Sequence, residues 1–207
     1  MNDATVFLID DDPAVRDAIG LLLSLKGMRT QSFSSAVAFL DTYRSEWCGC
    51  VLTDLCMPVT TGLELQKTLR DREILLPLVV FTAHGDVQNT RLALKGGAFD
   101  FLEKPVDDGV LIDVLTNAIR EDQRRRDAHH LEHSARSRLE RLTPREREVL
   151  DLVAQGMSQR EIAAKLDISP RTVEVYKARM MEKLQCRTLA EVVKTAIAAA
   201  ALRKPDI

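Results

Sequence analysis

The spacing of hydrophobic and polar positions changes along the chain. In residues 1–120, short apolar runs alternate with stretches in which apolar residues recur every three or four positions. The apolar runs predict buried β-strands, and the stretches between them predict amphipathic helices. The predicted strands are residues 5–9, 29–33, 49–53, 78–82 and 99–102, and the predicted helices are 14–25, 35–43, 62–71, 87–95 and 107–120.

Five strand–helix repeats in this length predict an α/β fold. We expect a doubly wound, five-stranded parallel sheet with helices on both faces, of the flavodoxin-like kind. In such sheets, ligands bind beyond the carboxyl ends of the strands. Polar residues that directly follow the predicted strands are therefore the first candidates for a functional site.

The pattern becomes all-helical after residue 142. Thr143-Pro144 and Ser169-Pro170 each place a capping residue before a proline at the first helical position, and Ser158 with Glu161 forms a capping box. Four helices are predicted, at about 144–155, 159–166, 170–185 and 189–202. The α/β part is therefore followed by a small all-α domain.

Residues 121–141 are crowded with charge and contain neither glycine nor proline, which predicts a solvated helical linker. The chain is thus divided into an α/β domain at 1–120, a linker at 121–141 and an all-α domain at 142–207. Residues 1–120 carry 11 Lys/Arg and 17 Asp/Glu, a net −6, whereas residues 142–207 carry 12 and 9, a net +3. An acidic N-terminal part and a basic C-terminal part favour nucleic-acid binding by the C-terminal part.

Composition excludes several other classes of protein. The longest apolar run, residues 74–81, is too short to span a membrane, and the acidic residues at 10–12 interrupt any secretory signal. Cys48, Cys50, Cys56 and Cys186 do not have the spacing of a zinc site or of a disulfide framework. We therefore expect a cytoplasmic protein with reduced cysteines and no membrane partner.

Five polar residues lie at the carboxyl ends of four of the five predicted strands. Asp10 and Asp11 follow the first strand, Asp54 follows the third, Thr82 ends the fourth and Lys104 comes just after the fifth. Clustered carboxylates repel one another unless a hard cation neutralises them, and Mg²⁺ with oxygen ligands is the natural candidate. A carboxylate, a metal, a hydroxyl and an ammonium around one point form a site that accepts a phosphoryl group.

The motifs around these residues resemble the receiver domain of bacterial two-component response regulators. They are VFLIDD at 6–11, TDLCMP at 53–58 with Gly62, FTAHG at 81–85 and FLEKP at 101–105, in the family's order. The resemblance implies Asp54 as phosphoacceptor and Asp11 as a direct Mg²⁺ ligand. It also implies that Asp10 acts mainly through a metal-bound water and that the main-chain carbonyl of Cys56 completes the protein ligands.

The resemblance also implies the parts of a switch. Lys104 would bind a phosphoryl oxygen, and its bond to the following proline would be cis. Thr82 would move to hydrogen-bond the phosphoryl group and Phe101 would rotate inward behind it. Taken on its residues alone, Phe101 is equally an ordinary core residue, and His84 is either a modulator of the phosphate's lifetime or a surface residue. The glycine-rich turn of the family is altered here at residues 59–62.

The segment 161–184 has the spacing of a helix-turn-helix. In its second helix, small, apolar and acidic residues share a face that is flanked by cations, which suits the major groove of DNA. Cations would hold phosphates, Glu174 could accept from cytosine N4 and Val175 could touch a thymine methyl. The predicted DNA-binding residues are Arg171, Thr172, Glu174, Val175, Lys177, Ala178 and Arg179.

Residues 142–150, with Gly156 and residues 162–163 and 168–173, resemble the LuxR-type DNA-binding domain, and the whole chain resembles regulators of the FixJ type. This resemblance implies a transcription regulator rather than an enzyme. A sensor histidine kinase would phosphorylate it, and the phosphorylated protein would form a homodimer on double-stranded promoter DNA. RNA polymerase is a candidate further partner. The final helix, 189–202, resembles the one that pairs two such domains.

Alternative interpretations remain open at this point. Asp10-x-Asp12 after a strand imitates an aspartate-nucleophile phosphohydrolase, which would need a second acidic pair after a later strand. A DNA-binding protein whose receiver only dimerises is a third class. His129 and His133 have the spacing of a metal pair, and the thiols at 48 and 50 that of a redox pair, although a solvated helix and two structural thiols are the simpler interpretations.

Overall fold

The N-terminal part of the chain folds as a parallel sheet with helices on both faces, as its alternating pattern predicts. The structure is a computed structural model that describes residues 4–83, 85 and 87–200, except for the side chains of 132 and 198–200. The strands are β1 (Thr5–Ile9), β2 (Arg29–Phe33), β3 (Gly49–Thr53), β4 (Leu78–Thr82) and β5 (Asp100–Glu103). The helices are α1 (Pro13–Leu25), α2 (Ala36–Thr42), α3 (Gly62–Asp71), α4 (Val87–Lys95) and α5 (Asp108–Glu140).

All strand pairs of the sheet are parallel, and the strand order is β2-β1-β3-β4-β5. The order reverses at β1 and β3, which lie side by side with Ile9 opposite Thr53. The residues that follow these two strands, Asp10 and Asp54, therefore leave the sheet next to each other. This is the switch point at which doubly wound sheets bind their ligands.

Alternate residues of each strand supply two separate cores. On β1, Phe7 and Ile9 pack into the core on one face of the sheet, and Val6 and Leu8 pack into the core on the other. β1, β3 and β4 are buried on both faces, which explains why they are continuous apolar runs rather than alternating ones, whereas the edge strand β2 is mostly exposed. Two buried faces hold the strand ends, and the polar residues that follow them, in fixed positions.

The C-terminal part is all-helical. Its helices are α6 (Pro144–Ala154), α7 (Gln159–Leu166), α8 (Pro170–Leu184) and α9 (Leu189–Ala200). Within the described part of the chain, these ends differ from the predicted ones by at most two residues. The last two residues predicted for α9 lie outside the described residues. No helix of the described part is long and apolar enough to cross a membrane.

A single helix, α5, joins the two parts of the chain. It continues without a break from the end of the sheet domain through most of the segment predicted as a linker. The chain divides into two compact units, Met1–Arg126 and Asp127–Ile207, here called the N-terminal unit and the C-terminal unit. The division falls within α5, six residues beyond the predicted start of the linker.

Candidate functional sites

A buried carboxylate, a partly buried carboxylate and one ammonium meet at the carboxyl ends of the strands. Asp10 is 4% exposed, and the side chain of Asp54 is 11% exposed. The Nζ atom of Lys104, which follows β5, lies 2.8 Å from Asp10 Oδ2 and 3.3 Å from Asp54 Oδ1. Carboxylates as buried as these need a counter-charge, and Lys104 supplies it to both.

Main-chain contacts hold the acidic residues in place. The amide of Asp54 donates to the carbonyl of Ile9 at 2.9 Å, which ties the ends of β1 and β3 together. Asp54 Oδ2 accepts from the amide of Cys56 at 2.8 Å, and Asp10 Oδ1 accepts from the amide of Asp12 at 3.0 Å. Each carboxylate thus has one oxygen bonded by its own loop and one directed to Lys104.

Asp11 lies beside this cluster but faces solvent. Its main-chain carbonyl accepts from the guanidinium of Arg16 at 3.0 Å, and the carbonyl of Asp10 accepts from the same group at 2.7 Å. Arg16 therefore holds the β1–α1 loop in shape. Among the described residues, no group of three or more His, Cys, Asp or Glu side chains is arranged to hold a metal ion. The acidic residues nevertheless offer hard oxygen donors, which fit Mg²⁺ and not a softer metal.

The loop after Asp54 is close-packed and strained. Val59 has a φ of 69° and is 94% exposed, a costly conformation for a β-branched residue. Gly62 begins α3, and a Cβ there would lie 2.6 Å from the carbonyl oxygen of Asp54. Thr61 and Glu64 form a capping box that starts the same helix. The absence of a side chain at Gly62 thus allows α3 to begin in close contact with the backbone of Asp54.

Thr82 and Phe101 lie on the neighbouring strands β4 and β5. Thr82 is fully buried, and its carbonyl accepts from the amide of Lys104 at 2.8 Å. Phe101 is half-buried against the core on one face of the sheet. The peptide bond from Lys104 to Pro105 is cis. Position 84 lies outside the described residues.

The second acidic pair that a phosphohydrolase would need is absent from this site, as far as the described residues show. Asp107 Oδ1 accepts from the amides of Gly109 and Val110, at 2.8 and 3.3 Å, so it caps the start of α5. Asp108 is the first residue of that helix. These two residues are helix-starting residues rather than a second catalytic pair.

The predicted helix-turn-helix is formed by α7 and α8. Asp167 ends α7 in the left-handed conformation, with a φ of 55°, and Ser169 Oγ caps α8 by accepting from the amide of Thr172 at 3.1 Å. The side chain of Gln159, at the start of α7, donates to the carbonyl of Pro170 at 2.8 Å. This bond links the first turns of the two helices.

One side of α8 is buried and the other faces solvent. Val173, Met180 and Leu184 are buried, and Tyr176 is half-buried. The residues predicted to bind DNA avoid this buried side. Of these, Arg171, Glu174, Val175, Ala178 and Arg179 are exposed, and Thr172 and Lys177 are half-buried.

An ion pair that the sequence did not reveal connects α6 to α8. Glu146 is the capping-box residue of α6, and its Oε2 also lies 2.6 Å from Lys183 Nζ. Burial raises the pKa of Glu146, but the hydrogen bonds from Lys183 and Thr143 outweigh it and hold the pKa below its usual value. This pair of a buried carboxylate and a partly exposed lysine connects the end of α8 to the start of α6.

The candidate thiol and histidine pairs have simpler explanations. Burial raises the pKa of the Cys50 thiol well above its usual value, so it stays protonated and unreactive, and all four cysteines are free. The rings of His129 and His133 lie 6.4 Å apart on the exposed surface of α5. Neither pair belongs to a metal-binding group among the residues with described side chains.

Comparison with known proteins assigns both units. Residues 6–116 match the response regulator receiver domain, and residues 140–196 match the bacterial regulatory proteins of the luxR family. The chain is 39% identical over 197 residues to the transcriptional regulatory protein FixJ of Bradyrhizobium diazoefficiens, covering 95% of this chain and 96% of that one.

Two solved structures resemble the chain over nearly its whole length. The response regulator StyR is 36% identical with a TM-score of 0.86, covering 95% of this chain and 99% of StyR. Full-length FixJ from B. japonicum is 38% identical with a TM-score of 0.60, covering 98% of this chain and 100% of FixJ.

The chain belongs to the response regulators that join a receiver to a luxR-family DNA-binding domain, and among these it is of the FixJ type. It is a transcription regulator that is controlled by phosphorylation, and it is not an enzyme. This family implies a kinase and DNA as partners. Receiver domains generally bind Mg²⁺ for phosphorylation.

Proposed function

We propose that Asp54 is the phosphoacceptor of this regulator and that a sensor histidine kinase is the donor. The position of Lys104 Nζ between Asp10 and Asp54 is the observation that carries this assignment. An ammonium at this point offsets the negative charge of the acceptor carboxylate and of an incoming phosphoryl group. It favours transfer to Asp54 rather than to an exposed acid.

The transfer is a substitution at phosphorus. A carboxylate oxygen of Asp54 forms a bond to phosphorus while the bond from phosphorus to the donor's imidazole nitrogen breaks, and that nitrogen retains the electron pair. Asp10, Asp11, Asp54 and the main-chain carbonyl of Cys56 would hold Mg²⁺. When bound, Mg²⁺ offsets charge on the phosphoryl oxygens.

The signal then passes from the site to DNA. Thr82 hydrogen-bonds the phosphoryl group and Phe101 turns inward, which changes the surface formed by α4 and β5. Phosphorylated chains form a homodimer through that change, and α9 pairs the C-terminal units on two half-sites of promoter DNA in the cytoplasm. RNA polymerase is the further partner that a DNA-bound regulator would contact.

Phosphate incorporation tests the assignment of Asp54. The full chain is treated with a small acyl phosphate donor and Mg²⁺, and intact mass is measured before and after acid hydrolysis. The wild-type chain should gain one acid-labile phosphate, while Asp54→Ala gains none and Lys104→Gln gains it roughly 100-fold more slowly. Asp41→Ala, which removes an exposed acid of α2, is the matched control and should behave as wild type. Phosphate on the Asp54→Ala chain would overturn the assignment.

A further inference from the structure

A buried acid on α5 takes no part in either proposed site. Leu111, Leu115 and Ala118 lie on the stripe of α5 that packs against the sheet. The next residue on that stripe is Asp122, which is only 1% exposed. The stripe therefore continues into the segment predicted as a solvated linker, and it ends on a charge.

Asp122 lies at the edge of the sheet opposite the phosphorylation site, where the strands begin. Its Oδ2 accepts from the amide of Gly49, the first residue of β3, at 2.9 Å. The same oxygen accepts from Arg126 Nε at 2.8 Å. Arg126 also donates to the carbonyls of Ser45, at 3.4 Å, and Trp47. Asp122 and Arg126, here called the clasp, thus bind α5 to the loop between α2 and β3.

The groups that the clasp joins have few alternative partners if one member of the clasp is removed. Gly49 has a φ of 136°, and a Cβ there would lie 1.9 Å from the carbonyl oxygen of Thr5, so the backbone at this point is tightly constrained. Without Asp122, the Gly49 amide would have no buried acceptor. Without Arg126, the Asp122 carboxylate would remain buried and uncompensated, which is strongly destabilising.

The loop that the clasp holds is itself rooted in the core. The ring of Trp47 stacks on that of Phe7, with centroids 4.6 Å apart, and lies edge-on to Tyr43. Arg126 bonds the carbonyl of this same tryptophan. A shift of α5 at Arg126 would therefore have to break contacts with a residue that is packed against the sheet.

We propose that the clasp makes α5 part of the receiver as far as Arg126, and that the segment able to act as a linker begins only at Asp127. Asp122 and Arg126 act as positioning residues that set the point at which the helix leaves the sheet domain. The consequence for regulation rests on the proposed function, because α5 is the segment through which dimerisation of the receivers would bring the C-terminal units together.

Hydrogen exchange of the full, unphosphorylated chain tests the anchoring. Asp122→Ala should raise the exchange rates of the Gly49 amide and of the amides of residues 119–126 by about tenfold or more. Alanine favours helix, so a faster exchange would not arise from lower helix propensity. Arg126→Lys keeps the charge but cannot bond both carbonyls, and it should give a smaller increase, so the test remains decisive if Asp122→Ala does not fold.

The chain offers a matched control one position earlier on the same helix. Glu121 and Arg125 also form an i,i+4 pair, 2.9 Å apart, but their side chains are 32% and 48% exposed. Glu121→Ala should change the exchange of these amides less than about twofold, because exposed pairs contribute little. Equal exchange in Asp122→Ala and Glu121→Ala would overturn the proposal.

A second readout measures whether the anchoring matters for regulation. Asp122→Ala should still accept phosphate on Asp54, since the clasp lies at the other edge of the sheet. The ratio of DNA affinities with and without phosphate should fall by at least about fivefold relative to Glu121→Ala. If Asp122→Ala shows faster exchange in residues 119–126 but an unchanged ratio of DNA affinities, the positioning role is contradicted. If phosphate leaves the DNA affinity of wild type and of Glu121→Ala unchanged, the proposal that phosphorylation controls DNA binding is wrong. Hydrogen exchange still decides whether the clasp anchors α5.

Discussion

At the scale of single residues, carboxylates in both units are paired with lysines from distant elements. Lys104 contacts Asp10 and Asp54 in the N-terminal unit, and Lys183 contacts Glu146 in the C-terminal unit. A buried carboxylate without such a partner would be protonated or would destabilise the fold. The two lysines have different consequences, because the first lies at the proposed phosphorylation site and the second supports a helix.

Glu146 makes the stability of the C-terminal unit depend on pH. Its folded-state pKa is lower than its usual value, so the unfolded chain binds a proton more readily than the folded chain does. The stabilising contribution is therefore fully present above the unfolded-state pKa, about 4.3, and disappears as pH falls through the lowered folded-state pKa.

We expect Glu146→Gln to lower the free energy of unfolding by roughly 1 to 2 kcal/mol at pH 7. The difference from wild type should shrink as the pH falls below about 4.3, because wild-type Glu146 then becomes protonated as well. Urea unfolding followed by circular dichroism measures the free energy of unfolding. Fluorescence of Trp47, the single tryptophan, follows the N-terminal unit separately.

Glu148→Gln provides the control for Glu146. Glu148 pairs with Arg145 at 2.7 Å, but both side chains are about half exposed, at 48% and 60%. Its replacement should cost about 0.5 kcal/mol or less. An effect of Glu146→Gln that is no larger than this, or one that does not shrink at low pH, would show that the buried pair contributes little.

At the scale of elements, α8 presents a face that is suited to DNA. Its buried residues fasten it to α6 and α7, and its outer face carries Arg171 and Arg179 on either side of Glu174, Val175 and Ala178. Cations on such a face neutralise phosphates, which strengthens binding to any sequence, whereas the residues between them meet the bases. Substitution of the cations should therefore weaken binding to all sequences, whereas substitution of the residues between them should change sequence preference.

Neutralising the two cations Arg171 and Lys177 together should weaken binding to every DNA sequence alike. The slope of log affinity against log salt concentration should fall by roughly 2, one for each phosphate that no longer has a cation beside it. Binding is measured on a fragment selected by the phosphorylated protein from a random library, at several salt concentrations. Lys67→Gln with Arg70→Gln, which makes the same charge change on the exposed surface of α3, is the control. An unchanged slope in the α8 variant would exclude these cations from the interface.

Periodicity and capping residues predicted the elements well, because both are local. Thr143-Pro144 and Ser169-Pro170 marked the starts of α6 and α8 to the residue. The grouping of Asp10, Asp54 and Lys104 was also predictable, since parallel topology gathers the carboxyl ends of strands. The partnerships of Glu146 with Lys183 and of Asp122 with Gly49 were not, because they join distant positions by side-chain packing alone. In the sequence, Asp122 is indistinguishable from the other charged residues of segment 121–141.

At the scale of the whole molecule, the two units carry opposite charge. Residues 1–120 have a net charge of −6 and residues 142–207 have +3, so DNA is attracted to the C-terminal part and repelled by the receiver. The proposed phosphorylation site and the proposed DNA-binding helix lie in different compact units. α5 is the continuous element that spans both units.

The most direct test of the account is a titration of DNA with and without phosphorylation of Asp54. The wild-type chain and Asp54→Ala are each titrated against the selected fragment, before and after treatment with phosphodonor and Mg²⁺. We predict that treatment raises the affinity of the wild-type chain by about tenfold or more and leaves Asp54→Ala unchanged. Equal affinities of the wild-type chain before and after treatment, or the same rise in Asp54→Ala, would contradict control of DNA binding by this aspartate.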